Sequence, residues 1–362
     1  MAEGKPSGDK AMKAMLTAIP ALLLAVPVLA QSPSCRDDPT QPRCVAEAEK
    51  AQRALYDAPP AEDYARQKTR MVRAFFVDGY GHDVGLVTLW YAPAAEPRVA
   101  WRMPKPRNGE DAMAPIDATL TLSAWREVTA AGTYFDRALA QLPQKERSIC
   151  LHGWTTRVEM VEADGKIRRG IQSGCGDDAL VWPLARRMTA AAIAAMPACA
   201  LLDAEKTRND ITRLNKCNRL SGDRAAAAEA TNVYDAPWFA NPRGEDFTRA
   251  LTYLFAEQLD VAWPGEPVVT DGEAAARIWS RHVGDAPFFP HVIFGETADR
   301  VRMDGMLVMR GASAQTAREP LPATLIWERC NGFGFRVTRF WAGTTPLRPG
   351  AETSCSRRSI AP

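Results

Sequence analysis

The sequence predicts an α+β protein of two domains, each an antiparallel sheet with packed helices, braced by disulfides and exported from the cytoplasm. Three observations carry this. A charge-free run, Ala14 to Ala30, follows a polar segment bearing Lys5, Lys10 and Lys13. All eight cysteines lie after that run. Beyond it, short stretches rich in β-branched and aromatic residues alternate with longer stretches at helical spacing.

The N-terminal pattern is that of a secretory signal peptide over residues 1–30, ending Val28-Leu29-Ala30-Gln31 with small or apolar residues before the cut. An uncleaved anchor is disfavoured because the run is short for a span and holds Pro20 and Pro27. A lipid anchor is disfavoured because Ser32-Pro33-Ser34 precedes Cys35 in place of an apolar-small-small triplet. No later stretch is apolar enough to span a bilayer, so the expected location is periplasm or medium. The formal net charge of +2 gives no general attraction to nucleic acid or anionic membrane. A local basic run, Arg208, Arg213, Lys216, Arg219 and Arg224, reads as one side of a solvated helix.

An even cysteine count in an exported chain argues for disulfides. Clustering suggests the neighbour pairs Cys35–Cys44, Cys150–Cys175, Cys199–Cys217 and Cys330–Cys355, although many other pairings are open. There is no Cys-x-x-Cys, so neither a redox dithiol nor a cysteine metal site is expected.

Residues 31–60 read as an irregular, partly helical arm. Helical composition over 45–57 and 61–70 is broken by Pro59-Pro60. Val72–Val77, Val84–Tyr91 and Val99–Met103 read as strands, and Ala118–Ala124 as another. A short helix is expected over Tyr134–Leu142. Ile149–Val161 and Lys166–Ser173 flank Asp164-Gly165 as a hairpin with a two-residue turn, placing Cys175 opposite Trp154. Helices are expected over Trp182–Met196 and Asp203–Leu220. The first domain thus runs over 61–220, and a linker is placed at 221–234. In the second domain, 235–350, helical spacing covers Phe247 to Leu259, and Asp271 is set to cap a helix reaching Val283. Strands follow at His291–Phe294, then hairpins about Asp304-Gly305 and Asn331-Gly332, then a tail at 351–362.

Two helices followed by long strands that end in Leu325-Ile326-Trp327-Glu328-Arg329 and Phe335-Arg336-Val337-Thr338-Arg339-Phe340-Trp341 resemble the nuclear-transport-factor-two-like family over about residues 240–345. The resemblance implies a cone, a curved sheet wrapped on helices. The family includes polyketide cyclases, ketosteroid isomerases and many ligand-binding or structural members. Residues before 240 resemble no family.

His282 falls at helical spacing with Ala275 and Trp279, and Asp285 follows closely. In the cone that helix lines the pocket, where a His282–Asp285 pair can transfer a proton. The plainer reading is a hydrogen-bonded boundary histidine. An Asn331-Gly332 turn would pair Glu328 with Phe335 and put it on a face with Ile326, Val337 and Trp341; in apolar surroundings it would suit a general base. The opposite face, with Leu325, Trp327 and Phe340, is equally apolar, so which face is inside stays open. If outside, Glu328 pairs with an arginine. Trp279, Phe335 and Trp341 are the candidate ligand-contacting residues. His152 and Trp154 beside Cys150 read as an aromatic packed on a disulfide. With four histidines and no clustered acid, no metal site is expected, and no phosphate loop or nucleophile elbow calls for a cofactor. The reading favours non-catalytic binding of a small apolar ligand or an envelope partner. The alternative is an isomerase- or cyclase-type enzyme, and a homodimer through the Leu325, Trp327 and Phe340 face is a third expectation.

Overall fold

The computed structural model describes residues 42–105, 113–130, 154–174, 182–205, 209–239, 251–282, 288–308, 320–330 and 334–343. The expected signal peptide, the helix at 134–142, the tail, His152, Asp285, the Asn331-Gly332 turn and Cys35, Cys150, Cys175 and Cys355 lie outside them.

Helices α1 (Pro42–Leu55) and α2 (Ala61–Arg66) are separated by the Pro59-Pro60 step, as proline requires. A six-stranded antiparallel sheet follows in the order β4-β3-β2-β1-β5-β6. Its strands are β1 (Arg70–Val77), β2 (Asp83–Tyr91), β3 (Arg98–Arg102), β4 (Ile116–Thr119), β5 (Trp154–Val161) and β6 (Ile167–Gly174). The strand expected to run to Ala124 stops at Thr119. There the Thr121 hydroxyl accepts the Ala124 N–H at 3.2 Å and starts helix α3 (Leu122–Ala130), which buries Trp125 and Val128 one turn apart.

The β5–β6 register differs from the expectation by one residue: Trp154 faces Gly174 and Val161 faces Ile167. Gly165 takes φ 83°, and Glu162 and Lys166 bracket a three-residue connection. The extra residue in the left-handed region makes the bulged hairpin turn in place of the two-residue one.

Helix α4 (Trp182–Ala195) carries Pro183 in its first turn. Pro197 opens the short α5 (Pro197–Ala200), and α6 (Asp210–Arg219) is capped by Asn209, which accepts from Thr212 N at 2.8 Å. Cys199 and Cys217 join α5 to α6 through a disulfide, as expected from their spacing. Cys44 and Cys330 each belong to a further disulfide.

Of the basic run, Arg208 lies outside the described residues and Arg224 is exposed as expected, but Arg213, Lys216 and Arg219 are not a solvated face. Arg213 donates to the carbonyls of Cys199 and Leu202, both at 3.0 Å, Lys216 pairs with Asp235, and Arg219 is buried deeply enough that desolvation lowers its pKa. Nor is 221–234 a linker. Strand β7 (Leu220–Gly222) and helix α7 (Arg224–Phe239) occupy it, with Asp223 Oδ1 accepting the N–H groups of Ala225 and Ala226. The alanine run buries Ala226, Ala227, Ala228 and Ala230, because small side chains let α7 lie close on the second sheet.

That sheet has seven strands in the order β7-β10-β11-β12-β13-β8-β9. The elements are β8 (Phe255–Ala262), β9 (Val269–Asp271), α8 (Gly272–His282), β10 (Phe288–Thr297), β11 (Arg300–Leu307), β12 (Leu321–Cys330) and β13 (Gly334–Ala342). It is mixed: β7 runs parallel to β10 and β8 parallel to β13. Residues 255–259, expected as helix, belong to β8, whose Leu259 and Val261, with Trp263 just past its end, alternate into the core.

Asp304-Gly305 is not a turn but the middle of β11. A Cβ on Gly305 would sit 2.1 Å from the Phe289 carbonyl, so glycine here answers a close strand approach beside the Pro290 bulge. Asp271 caps α8 as expected, accepting from Ala274 N at 2.8 Å.

Both sheets lie in one compact unit, residues 51–362, and their inner faces feed one continuous hydrophobic core. Between them, Asn215 of α6 accepts from Trp101 Nε1 and donates to the Val84 carbonyl, both at 3.1 Å. No described helix is long and apolar enough to cross a membrane.

Candidate functional site

The β12–β13 register settles which face is inside. Cys330 faces Gly334, Trp327 faces Val337, and after a bulge Leu325 faces Phe340. This is one residue off the register a two-residue turn would give. Ala323, Leu325, Trp327, Phe335, Val337, Phe340 and Ala342 are therefore buried together. The face expected as a dimer surface is the core.

Glu328 lies on the opposite face and faces Arg336, not Phe335. Its carboxylate accepts from Arg300 Nη1 at 2.8 Å, and Arg300 Nε donates to Glu296 at 2.6 Å. Among the described residues, its neighbours on that face are the charged side chains of Arg300 and Arg336. Trp341 is half-buried on the same outer face.

Of the other candidate ligand contacts, Phe335 is fully buried under the Arg329 guanidinium, 4.5 Å from its ring centroid. Trp279 is 2% exposed and sits 5.7 Å from Phe255, 5.2 Å from Trp263 and 5.1 Å from Phe340, centroid to centroid. Phe340 is itself 5.2 Å from Trp263 and 6.4 Å from Phe288. These edge-to-face and tilted spacings are those of packed aromatic pairs, so the rings fill the inner face around α8. Both side chains are core residues in this packing.

Helix α8 turns Ala275, Ala276, Ile278 and Trp279 inward and leaves Glu273, Arg277 and Arg281 outside. His282 ends it at the boundary. Just before β9, Trp263-Pro264-Gly265-Glu266 closes a turn in which Glu266 N donates to Trp263 O at 3.0 Å. Pro264 second and Gly265 third, with Gly265 at φ 80°, are the residues a type II turn requires. The turn swings Glu266 over the C-terminal end of α8. There His282 Nε2 and Glu266 Oε1 are 2.8 Å apart, and Arg281 Nη2 is 3.5 Å from the same oxygen. The His282 ring stacks on Trp263 at 5.4 Å. The His282 hydrogen bond, helped by the charges of Arg281 and His282 and opposed by slight desolvation, holds the Glu266 carboxyl below its usual range.

Helical spacing alone puts His282 on the inner side of this helix with Asp285 as its partner; His282 instead lies at the boundary, and Asp285 lies outside the described residues. Glu266, sixteen residues upstream, was missed. The Trp-Pro-Gly-Glu turn was the available signal.

Beside this pair an open depression of about 650 Å³ lies between the β8–β9 connection and α8. Pro267, Val269, Ala274 and Ile278 supply its apolar lining, and Glu266, Arg277, Ser280 and Arg281 its polar one. Among the described residues, no group of three or more His, Cys, Asp or Glu side chains is placed to hold a metal ion.

No protein-family model matches the chain, and no curated protein sequence matches it. Solved structures do resemble part of it. A ketosteroid isomerase-like protein from Erwinia carotovora atroseptica is 12% identical, with 33% of this chain and 97% of that one covered and a TM-score of 0.24. An NTF-2 like protein of unknown function from Shewanella oneidensis is 12% identical, covering 31% and 98%, with a TM-score of 0.24. A domain of unknown function with a cystatin-like fold from Nostoc punctiforme is 9% identical, covering 34% and 76%, with a TM-score of 0.25. Each of these likenesses covers about a third of the chain.

Proposed function

We propose that this is an exported, disulfide-braced binding protein of the periplasm or medium, holding a small molecule with an apolar body in the depression beside α8. The observation that carries this reading is a contrast in packing. Around α8 the inner face of the second sheet is taken up by Trp263, Trp279 and Phe340 in mutual contact, whereas the depression is open and partly apolar. The signal-like N-terminus and the Cys199–Cys217 bond support export.

Native mass spectrometry of the exported protein without reductant tests this. The expected mass lacks residues 1–30 and about 8 Da of hydrogen for four disulfides, and carries a small adduct that an Ala274→Trp variant, with the depression filled, loses. Retained residues 1–30 with free thiols would overturn export. An adduct unchanged in Ala274→Trp would overturn the site.

A second reading rests on the 2.8 Å His282–Glu266 contact, a pair able to move a proton at the edge of the same depression. It requires the wild type to convert the adduct chemically over time while Glu266→Gln leaves it intact.

A further inference from the structure

The α8 depression has a feature that its apolar lining does not explain. Arg277 and Arg281 stand on successive turns of one helix face and both line it. Their acidic neighbours are distant for hydrogen bonding: Arg277 Nη1 is 3.8 Å from Glu273 Oε2, and Arg281 Nη2 is 3.5 Å from Glu266 Oε1. Two partly exposed arginines on the second sheet hold their acids more closely. Arg329 grips Glu229 with two contacts of 2.8 Å, and Arg300 meets Glu296 and Glu328 at 2.6 and 2.8 Å. Close charge-assisted contacts fall at about 2.7–2.9 Å. Arg277 and Arg281, their side chains 62% and 61% exposed, thus have no carboxylate closer than 3.5 Å among the described residues and present their donor forks to the depression, and Val269, Ala274 and Ile278 lie next to them.

Resting on the binding reading above, we infer that the molecule taken up here is a carboxylic acid on an aliphatic or aromatic body, its carboxylate shared by Arg277 and Arg281. The planar guanidinium matches a carboxylate with two parallel hydrogen bonds. A single negative charge suits the site better than a phosphate dianion. Glu266 sits at its edge, fixed by His282, and repels a second charge there. The apolar lining then accepts the body of the acid.

Calorimetric titration of the full exported chain with octanoate, octanol and inorganic phosphate separates the possibilities. The expected result is saturable octanoate binding, weakened about tenfold or more in the Arg277→Ala/Arg281→Ala double variant, with octanol much weaker and phosphate not bound. Circular dichroism guards against misfolding, and Arg277→Lys/Arg281→Lys is expected to recover part of the affinity. Equal binding of octanol and octanoate, both lost in Ala274→Trp, would overturn the carboxylate inference and leave the binding site standing. Octanoate binding unchanged in the double alanine variant would also overturn it. No binding of either octanoate or octanol would overturn both readings.

Discussion

The two sheets each carry a second, charged face, and they bury it to opposite degrees. In the first sheet the face of Met71, Arg73 and Phe75 is covered by the end of α1 and by α2. Tyr56 packs edge-on to Phe75 at 5.8 Å, and Ala61 packs with Met71 and Val161. Between these contacts lies Glu159, fully buried. It pairs with Arg73 through Nε at 2.7 Å and through Nη2, with Arg53 and Arg157 at 3.6 Å and Arg169 at 3.9 Å. Arg73 also donates to Pro59 O at 2.6 Å, which ties the proline step to the sheet. In the second sheet the corresponding face carries Glu296, Arg300 and Glu328 in open view, with side chains 25–38% exposed. The same residue types thus act as an internal bolt in one sheet and as a solvated ladder in the other. The buried one is the one on which α2 and the end of α1 lie.

The sharpest way to break this comparison is to remove one acid from each face. Glu159→Ala leaves Arg73 buried without its countercharge and is expected to cost about 3–5 kcal/mol of unfolding free energy. Glu328→Ala is expected to cost less than about 1 kcal/mol, because water screens the pair it leaves. Urea unfolding of both variants measures the difference, and equal losses would contradict the account. An intermediate effect is expected from the α5–α6 staple. Cys199→Ser with Cys217→Ser opens a loop of 18 residues' separation and should cost about 2–4 kcal/mol.

The smallest effect is electrostatic and concerns the rim. The Glu266 carboxyl is held low, chiefly by its hydrogen bond to His282. A carboxylate lowered in the folded state adds stability above its unfolded pKa of about 4.3 and loses it as pH falls through the folded value. The Tm difference between wild type and Glu266→Gln should therefore be small and positive at neutral pH and vanish in acid. A difference that grew in acid would reverse the assignment.

Much of the fold was legible. Strands β1, β2, β3, β12 and β13 read directly from their β-branched and aromatic runs, and α4 and α8 from Pro183 and the Asp271 cap. Two of the errors share one cause: dipeptides that signal turns in isolation were overruled by neighbours. Asp304-Gly305 stayed in strand because Gly305 meets β10 at close range. The Asp164-Gly165 turn took an extra residue. The alanine run at 225–228 resembled a linker because small residues carry little apolar signal, although burial of four alanines seats α7. The candidate site was legible only in part. Helical spacing found His282, yet Glu266 reaches it through a turn, and no periodicity in the sequence links the two.

The claim at the centre of the account is that ligand meets the rim of the second sheet while the aromatic interior stays closed. Amide and indole NMR of the exported protein titrated with octanoate tests it directly. Trp263, Trp279 and Trp327 have buried indole N–H groups without hydrogen-bond partners among the described residues, so their signals report any entry of a ligand into the core. Shifts are expected at Val269, Ala274, Ile278 and the Arg277 and Arg281 side chains, with the Trp279 and Trp327 indoles unmoved. Large shifts of those two indoles, with Ala274 and Ile278 silent, would contradict it and place the ligand inside the sheet.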